Sequence, residues 1–206
     1  QPQNTSQTKH SEKESQKAQG ETSKMTDVLL VHVWGGLNEY PPLSLGYLAS
    51  MARQKGHSVK IIEPATDPKF SIEKFKETLK QENPKYLGFT TITPYLAETL
   101  QMLEATRQTL PDSTIIVGGP HANAVPDKTM QECTQADILV FGEGEETFYD
   151  LVTVFQQYKG LDADLLANIK GLVFWDNGNL KFTGSRELIQ NLDEIPFPDY
   201  SYLRRE

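Results

Sequence analysis

One cysteine, Cys133, is all the thiol chemistry in this sequence of 206 residues. It excludes an internal disulfide, a four-cysteine zinc site and an iron–sulfur cluster held by the chain itself, and it makes a reducing cytoplasm the default location. Positive charge is scarce too: 20 lysines and arginines stand against 28 acidic residues, a net charge of −8. Without a basic stripe there is nothing to displace phosphate counterions, so no nucleic-acid partner is expected. No apolar run approaches the length of a membrane span and the N-terminus has no apolar signal core, so no membrane partner is expected either. Nucleotide fingerprints are missing. There is no G-x-x-x-x-G-K-[ST] loop, and Gly142-x-Gly144-x-x-Thr147 lacks the third glycine and follows the last strand instead of the first. Paired carboxylates, a Ser/His/Asp set and a cluster with metal-ligand spacing are all absent, so no catalytic or metal-ligating residue is assigned.

Apolar residues are scarce only locally. Residues 1–24 contain one, Ala18, with four lysines and three glutamates. That stretch cannot bury enough surface to offset the entropy of ordering it. The remainder is about 41% apolar, ordinary for a soluble domain, and carries a net −9. Residues 1–25 therefore read as a disordered polar tail. The chain starts at Gln1 and stops after a Pro-rich stretch, which reads as a piece of a longer protein with Met25 a possible natural start.

From residue 27 short apolar runs alternate with amphipathic ones. Asp27–Val33, Ser58–Glu63, Lys85–Thr91, Thr114–Val117 and Asp137–Phe141 read as strands. Leu43–Lys55, Ile72–Gln81 (capped by Ser71), Tyr95–Leu110, Asp127–Cys133 and Glu146–Tyr158 read as helices. This rhythm predicts an α/β, flavodoxin-like (Rossmann-like) doubly wound sheet of five parallel strands, order 2-1-3-4-5, with ligands beyond the carboxyl ends of the strands. Gly171–Trp175 and Leu180–Thr183 flank Asp176-Asn177-Gly178-Asn179, a hairpin signal. The prolines of residues 192–200 then predict an extended arm. The expected division is 26–160 for the sheet domain and 161–206 for the hairpin and Pro-rich linker.

Four loops leave the carboxyl ends of the strands. After the first comes Trp34-Gly35-Gly36-Leu37-Asn38-Glu39-Tyr40-Pro41-Pro42, and after the third Thr90-Thr91-Ile92-Thr93-Pro94-Tyr95. Gly118-Gly119-Pro120-His121 follows the fourth and Gly142-Glu143-Gly144-Glu145 the fifth. Paired glycines let backbone approach a bulky group, and helix N-termini offer free N–H donors; turns alone also use such glycines. A flavin phosphate would need hydroxyls in the first loop, which is apolar and Pro-rich. A phosphoacceptor site would need acidic residues where Trp34/Gly35 and Thr90/Thr91 stand.

Pro41-Pro42-Leu43-Ser44-Leu45-Gly46-Tyr47-Leu48-Ala49, Gly56-His57-x-Val59, Val117-Gly118-Gly119-Pro120-His121-Ala122 and Gly142-Glu143-Gly144-Glu145-x-Thr147 together resemble the N-terminal domain of cobalamin-dependent radical SAM enzymes. Leu192-Asp193-Glu194-Ile195-Pro196-Phe197-Pro198 resembles the segment that leads into their radical SAM barrel. The resemblance spans roughly residues 26–203. It implies a bound cobalamin, with a 4Fe-4S cluster and S-adenosylmethionine held by a barrel in cis, or in trans if the chain is complete. That barrel is absent here, so this chain alone would not be catalytic. The parent chemistry implied is methyl transfer or a related radical reaction; a stand-alone binding or regulatory module that docks a partner protein is the alternative. Where related cobalamin folds carry D-x-H-x-x-G, this chain has Pro41-x-Leu43-x-x-Gly46. The resemblance thus implies a base-off cofactor whose cobalt has no histidine ligand from the protein. Its displaced tail would lie between strands one and three, with Thr91 and Thr93 matching the hydroxyl-bearing S-x-L loop and Gly118-Gly119 flanking the tail. The cofactor-binding set completed by this alignment is Trp34, Gly35, Gly36, Pro42, Leu43, Leu45, Gly46, Tyr95, Pro120, His121, Gly142, Glu143, Gly144 and Glu145. Some of these have a second reading. His121 can bond a corrin amide or be polar surface; Glu143 and Glu145 can accept from corrin amides or favour the following helix end; Trp34 and Tyr95 can pack on ligand or core. His32 is read as a core histidine, His57 as a turn residue and Cys133 as an inert buried one.

Overall fold

The computed structural model describes residues 26–33, 42–64, 67, 69–158 and 161–201. One sheet runs through them in the order β2-β1-β3-β4-β5-β6-β7. Its strands are β1 (Val28–Val31), β2 (Val59–Ile62), β3 (Tyr86–Thr90), β4 (Thr114–Gly118), β5 (Ile138–Val140), β6 (Leu172–Asp176) and β7 (Asn179–Phe182). The first five are mutually parallel in the predicted order. The hairpin that the sequence places after the sheet is instead built into it: β6 lies antiparallel on β5, and β7 on β6. The reason is the edge. A three-residue β5 would otherwise leave its N–H and C=O groups unpaired beside buried side chains, and Leu172, Val173 and Phe174 supply both the missing ladder and the apolar cover.

The helices are α1 (Leu43–Gln54), α2 (Ile72–Glu82), α3 (Leu96–Thr109, entered through a 3-10 turn at Thr93–Tyr95), α4 (Pro120–Ala124), α5 (Pro126–Glu132), α6 (Gly144–Gln157) and α7 (Ala163–Ala167). Ser71 caps α2, its hydroxyl accepting from the Lys74 N–H at 3.1 Å. The short helices α4 and α7 are the two that periodicity misses, since five residues hold too little pattern to read.

Alternation along each strand separates two cores. Leu29, Val31, Leu87, Phe89, Ile115 and Val117 face α2, α3 and α5. Val28, Leu30, Ile116, Ile138 and Val140 face α1, α6 and α7. On this second face β3 presents Tyr86, then Gly88, then Thr90. Tyr86 stacks on Phe155 of α6, centroids 4.1 Å apart. Gly88 presents no side chain, and that gap in the core positions the site.

After β7 the chain runs as an extended arm back over α6 and α1, interrupted by a 3-10 turn at Leu192–Glu194. Arg186 donates to Thr147 Oγ1 at 3.1 Å and pairs with Glu146 and Asp150 of α6. At the far end Ser50 donates to the Phe197 carbonyl (2.7 Å), the Asp199 N–H donates to the Gly46 carbonyl (3.0 Å), and Arg53 pairs with Asp199.

Candidate functional site

A cavity of about 370 Å³ opens at the carboxyl end of the sheet, between α1 and α6. Its depth comes from Gly88: a Cβ there would sit 2.8 Å from Leu30 Cδ2, so any larger residue would fill the slot or drive Leu30 out of place. Leu45, Leu48, Ile116, Val140 and Phe148 make the walls apolar. Bare backbone at Gly118, Gly119, Gly142 and Gly144 forms the mouth. Gly119 is required twice over. Its φ is +103°, and a Cβ would lie 3.0 Å from both Thr90 Cγ2 and the Thr91 carbonyl.

One buried polar atom in the wall of this cavity stands out. Thr90 is only 9% exposed and lines the cavity, and its Oγ1 is buried with no hydrogen-bond partner. Such a group costs free energy unless something supplies a partner. Thr91, one residue on, points to the other side. Its hydroxyl donates to the Gly118 carbonyl (2.8 Å) and accepts from the Ala122 N–H (3.2 Å), tying β3 to α4.

The mouth is braced. The Gly142 N–H donates to Asn123 Oδ1 at 2.8 Å and Asn123 Nδ2 donates back to the Gly142 carbonyl at 3.4 Å, so one side-chain amide joins the loops after β4 and β5. Glu143 and Glu145 stand at the rim and also line a second cavity of about 480 Å³, whose other walls include Tyr47 and the arm residues Ile195 and Phe197.

Of the residues that the sequence nominates, the first cavity brings together Leu45, Gly118, Gly119, Pro120, Gly142, Glu143, Gly144 and Glu145. Trp34, Gly35 and Gly36 lie outside the described residues. Pro42 is buried at the start of α1, where its carbonyl accepts from the Gly46 N–H at 3.2 Å, and Leu43 is half exposed. Gly46 faces the arm, not the cavity: a Cβ would lie 3.0 Å from Pro198 Cβ. Thr93 is exposed and bonds His121 Nδ1 at 2.9 Å, while His121 Nε2 lies 3.4 Å from Glu132. His121, 6% exposed, thus pins the loop after β3 to α5 and does not line the cavity. Tyr95, in the 3-10 turn, accepts at its carbonyl from Thr99.

Thr90, Gly88, Ser44 and Asn123 line the cavity and were not among those nominated. For Thr90 and Gly88 a signal existed, since residues 86, 88 and 90 share one face of a strand. For Asn123 there was none, because its partner lies 19 residues away in another loop. The other described histidines are engaged elsewhere. His32 is buried, which holds its imidazole below the ordinary value, and His57 Nε2 lies 3.1 Å from the Val152 carbonyl. Burial, with Glu132 adjacent, pushes the Cys133 thiol up to about 11, so it stays protonated and unreactive at neutral pH. No described helix is long and apolar enough to cross a membrane.

The model of the B12 binding domain family matches residues 36–152. An uncharacterized methyltransferase of Pyrococcus horikoshii is 38% identical over 164 residues, which are 79% of this chain and 34% of that one. The anaerobic magnesium-protoporphyrin IX monomethyl ester cyclase of Cereibacter sphaeroides is 28% identical over 165 residues, 80% of this chain and 26% of its own. Among solved structures, the radical S-adenosylmethionine methyltransferase TsrM from Kitasatospora setae, with cobalamin and a [4Fe-4S] cluster bound, shares the fold with a TM-score of 0.68 at 18% identity. The match covers 86% of this chain and 32% of that one. OxsB, a cobalamin-dependent S-adenosylmethionine radical enzyme, matches with a TM-score of 0.62 at 20% identity, over 87% and 25%. The chain thus spans between a quarter and about a third of the length of these relatives.

Proposed function

Because this chain belongs to the B12 binding domain family, we propose that it holds cobalamin base-off, with the displaced nucleotide tail in the slot over Gly88, as one module of a cobalamin-dependent radical SAM enzyme. The observation that carries the reading is the slot itself: an apolar cleft of about 370 Å³ against the sheet, entered past bare glycine backbone, with room for a flat aromatic base. Gly88 contributes bare backbone to the floor of that cleft, between its cross-strand neighbours Leu30 and Ile116. In this reading the tail lies over β3, between its neighbours β1 and β4 and beneath α1 and α6.

Each element then has a task. The glycine mouth lets a bulky macrocycle rest close to backbone, and Asn123 keeps its two loops in one relation. Glu143 and Glu145 offer acceptors to amide donors at the rim. The three histidines that are described lie outside the cavity and are engaged in the fold, which supports a cobalt without a protein imidazole below it. When bound, cobalamin supplies a cobalt centre able to carry a methyl group or enter related radical chemistry. A 4Fe-4S cluster and S-adenosylmethionine would belong to a radical SAM barrel in cis or in trans. The arm, whose Leu188, Leu192 and Phe197 are exposed, would lead towards that barrel.

The test is direct. Hydroxocobalamin is added to the purified chain, free ligand is removed, and the visible spectrum is recorded. Retained corrin absorbance with a base-off band is expected. Gly88→Val should lower retention at least about tenfold by filling the slot, a loss of about 1.4 kcal/mol. No retention by the folded wild type would refute cobalamin binding, and a base-on spectrum would refute the displaced tail.

A further inference from the structure

Glu143 occupies the N-cap position of α6, yet its side chain makes no capping bond there. Instead Oε2 accepts the Ile189 N–H of the arm at 2.7 Å. The same residue lines the sheet-end cavity and the second cavity, which the arm walls. One carboxylate therefore stands between the ligand cavity and the extended segment that passes over it. The arm's ends are clamped independently, at Arg186 on α6 and at Phe197–Asp199 on α1. The Glu143–Ile189 bond holds the stretch between those clamps.

We propose that Glu143 is a positioning residue that couples occupancy of the cavity to the seating of residues 187–196. This rests on the cobalamin reading above, and it adds a link that reading does not contain. A carboxylate has about four lone-pair sites, and the arm uses one. A ligand far larger than a 370 Å³ slot leaves most of itself at the rim, where the amide donors around a corrin meet Glu143 and Glu145. A donor on the free lone pairs restricts the Glu143 rotamer to the one that already receives Ile189, so the ordering entropy of that side chain is spent once for two contacts. Occupancy then tightens the arm, and by linkage a seated arm tightens the ligand by the same factor. The cavity thereby reports its state to whatever the arm leads to.

The experiment is amide hydrogen exchange on the full chain, with and without hydroxocobalamin, for the wild type, Glu143→Gln and Glu143→Ala. In the wild type, cobalamin should slow exchange across residues 187–196 by about fivefold or more, the low end of ordinary coupling. Glu143→Ala should release the Ile189 amide in the ligand-free protein and abolish the response. Glu143→Gln should restore both, because its amide oxygen accepts the same N–H. If Glu143 acted only as a negative charge near the start of α6, Gln would behave like Ala, and the proposal would fall. Unchanged Ile189 exchange in ligand-free Glu143→Ala would overturn the latch whether or not corrin binds. Retained corrin with unaltered arm exchange would overturn the coupling alone. Absence of retained corrin in the wild type would overturn the cobalamin reading and the coupling with it, a result distinct from the other two.

Discussion

Thr90 and Thr91 are adjacent, chemically identical and opposite in role. Pleating sends one into the slot over Gly88 and the other into the junction of β3 with α4. Residue type alone cannot tell them apart; strand register can, and it favours Thr90 because Tyr86 and Gly88 share its face. Thr90→Val keeps the shape and removes a buried hydroxyl that has no partner, so the ligand-free protein should gain about 1 kcal/mol in urea unfolding, within the range for an unsatisfied group. A loss of stability would show that the hydroxyl serves the fold instead. His121 teaches the converse. A histidine beside a glycine pair on a ligand rim invites a ligand role, and the fold uses both ring nitrogens to tie Thr93 to Glu132.

At the level of elements, the arm changes the meaning of Gly46. In the chain it reads as the last position of a ligand-loop motif. In the fold it is a helical glycine against which Pro198 and Asp199 pack, at 3.0 and 3.2 Å from where a Cβ would be. Gly46→Ala should therefore split two observables. The helix gains up to about 1 kcal/mol of intrinsic propensity, so the thermal midpoint of the body should not fall. The arm must move by some tenths of an ångström, so limited proteolysis should cut between residues 190 and 200 sooner. A lowered midpoint with unchanged cleavage would contradict this account. The hairpin carries the same lesson. Its Asn177-Gly178 turn is legible from residue chemistry, with positive φ at both positions. Its partner is not, because only the three-dimensional sheet exposes the edge of β5 that β6 completes.

Across the whole molecule, acid should act in two stages of the same sign. Burial keeps His32 below its ordinary value of about 6.5. As pH falls through that value the unfolded chain takes up a proton that the folded one refuses, and stability declines. For Asp27 burial alone would raise the carboxyl, but the Ser58 hydrogen bonds and the Lys85 charge outweigh it. For Glu82 burial is likewise outweighed, by Lys60 and Thr26. Both groups end below their ordinary values of 3.8 and 4.5, so their stabilisation is complete only above those values and is lost as pH falls through their folded ones. Urea midpoints should drop gently from pH 7 to 5 and steeply below 4, and His32→Gln should flatten the upper segment. A midpoint that rose on acidification would refute the assignment.

The order of apolar and amphipathic runs was enough, by itself, to indicate the parallel α/β core, because burial on two faces makes the strands continuous apolar runs and gives the helices a period of 3.6; the strand order followed from the flavodoxin-like class that this rhythm fits. It also carried the glycine loops, since positive φ and close backbone approach select glycine locally. Tertiary structure alone decided that Gly88 makes a slot, that Asn123 joins two loops, that the hairpin closes the sheet and that Glu143 holds the arm. These are pairings between residues far apart in the chain, and composition, period and motif describe only neighbours.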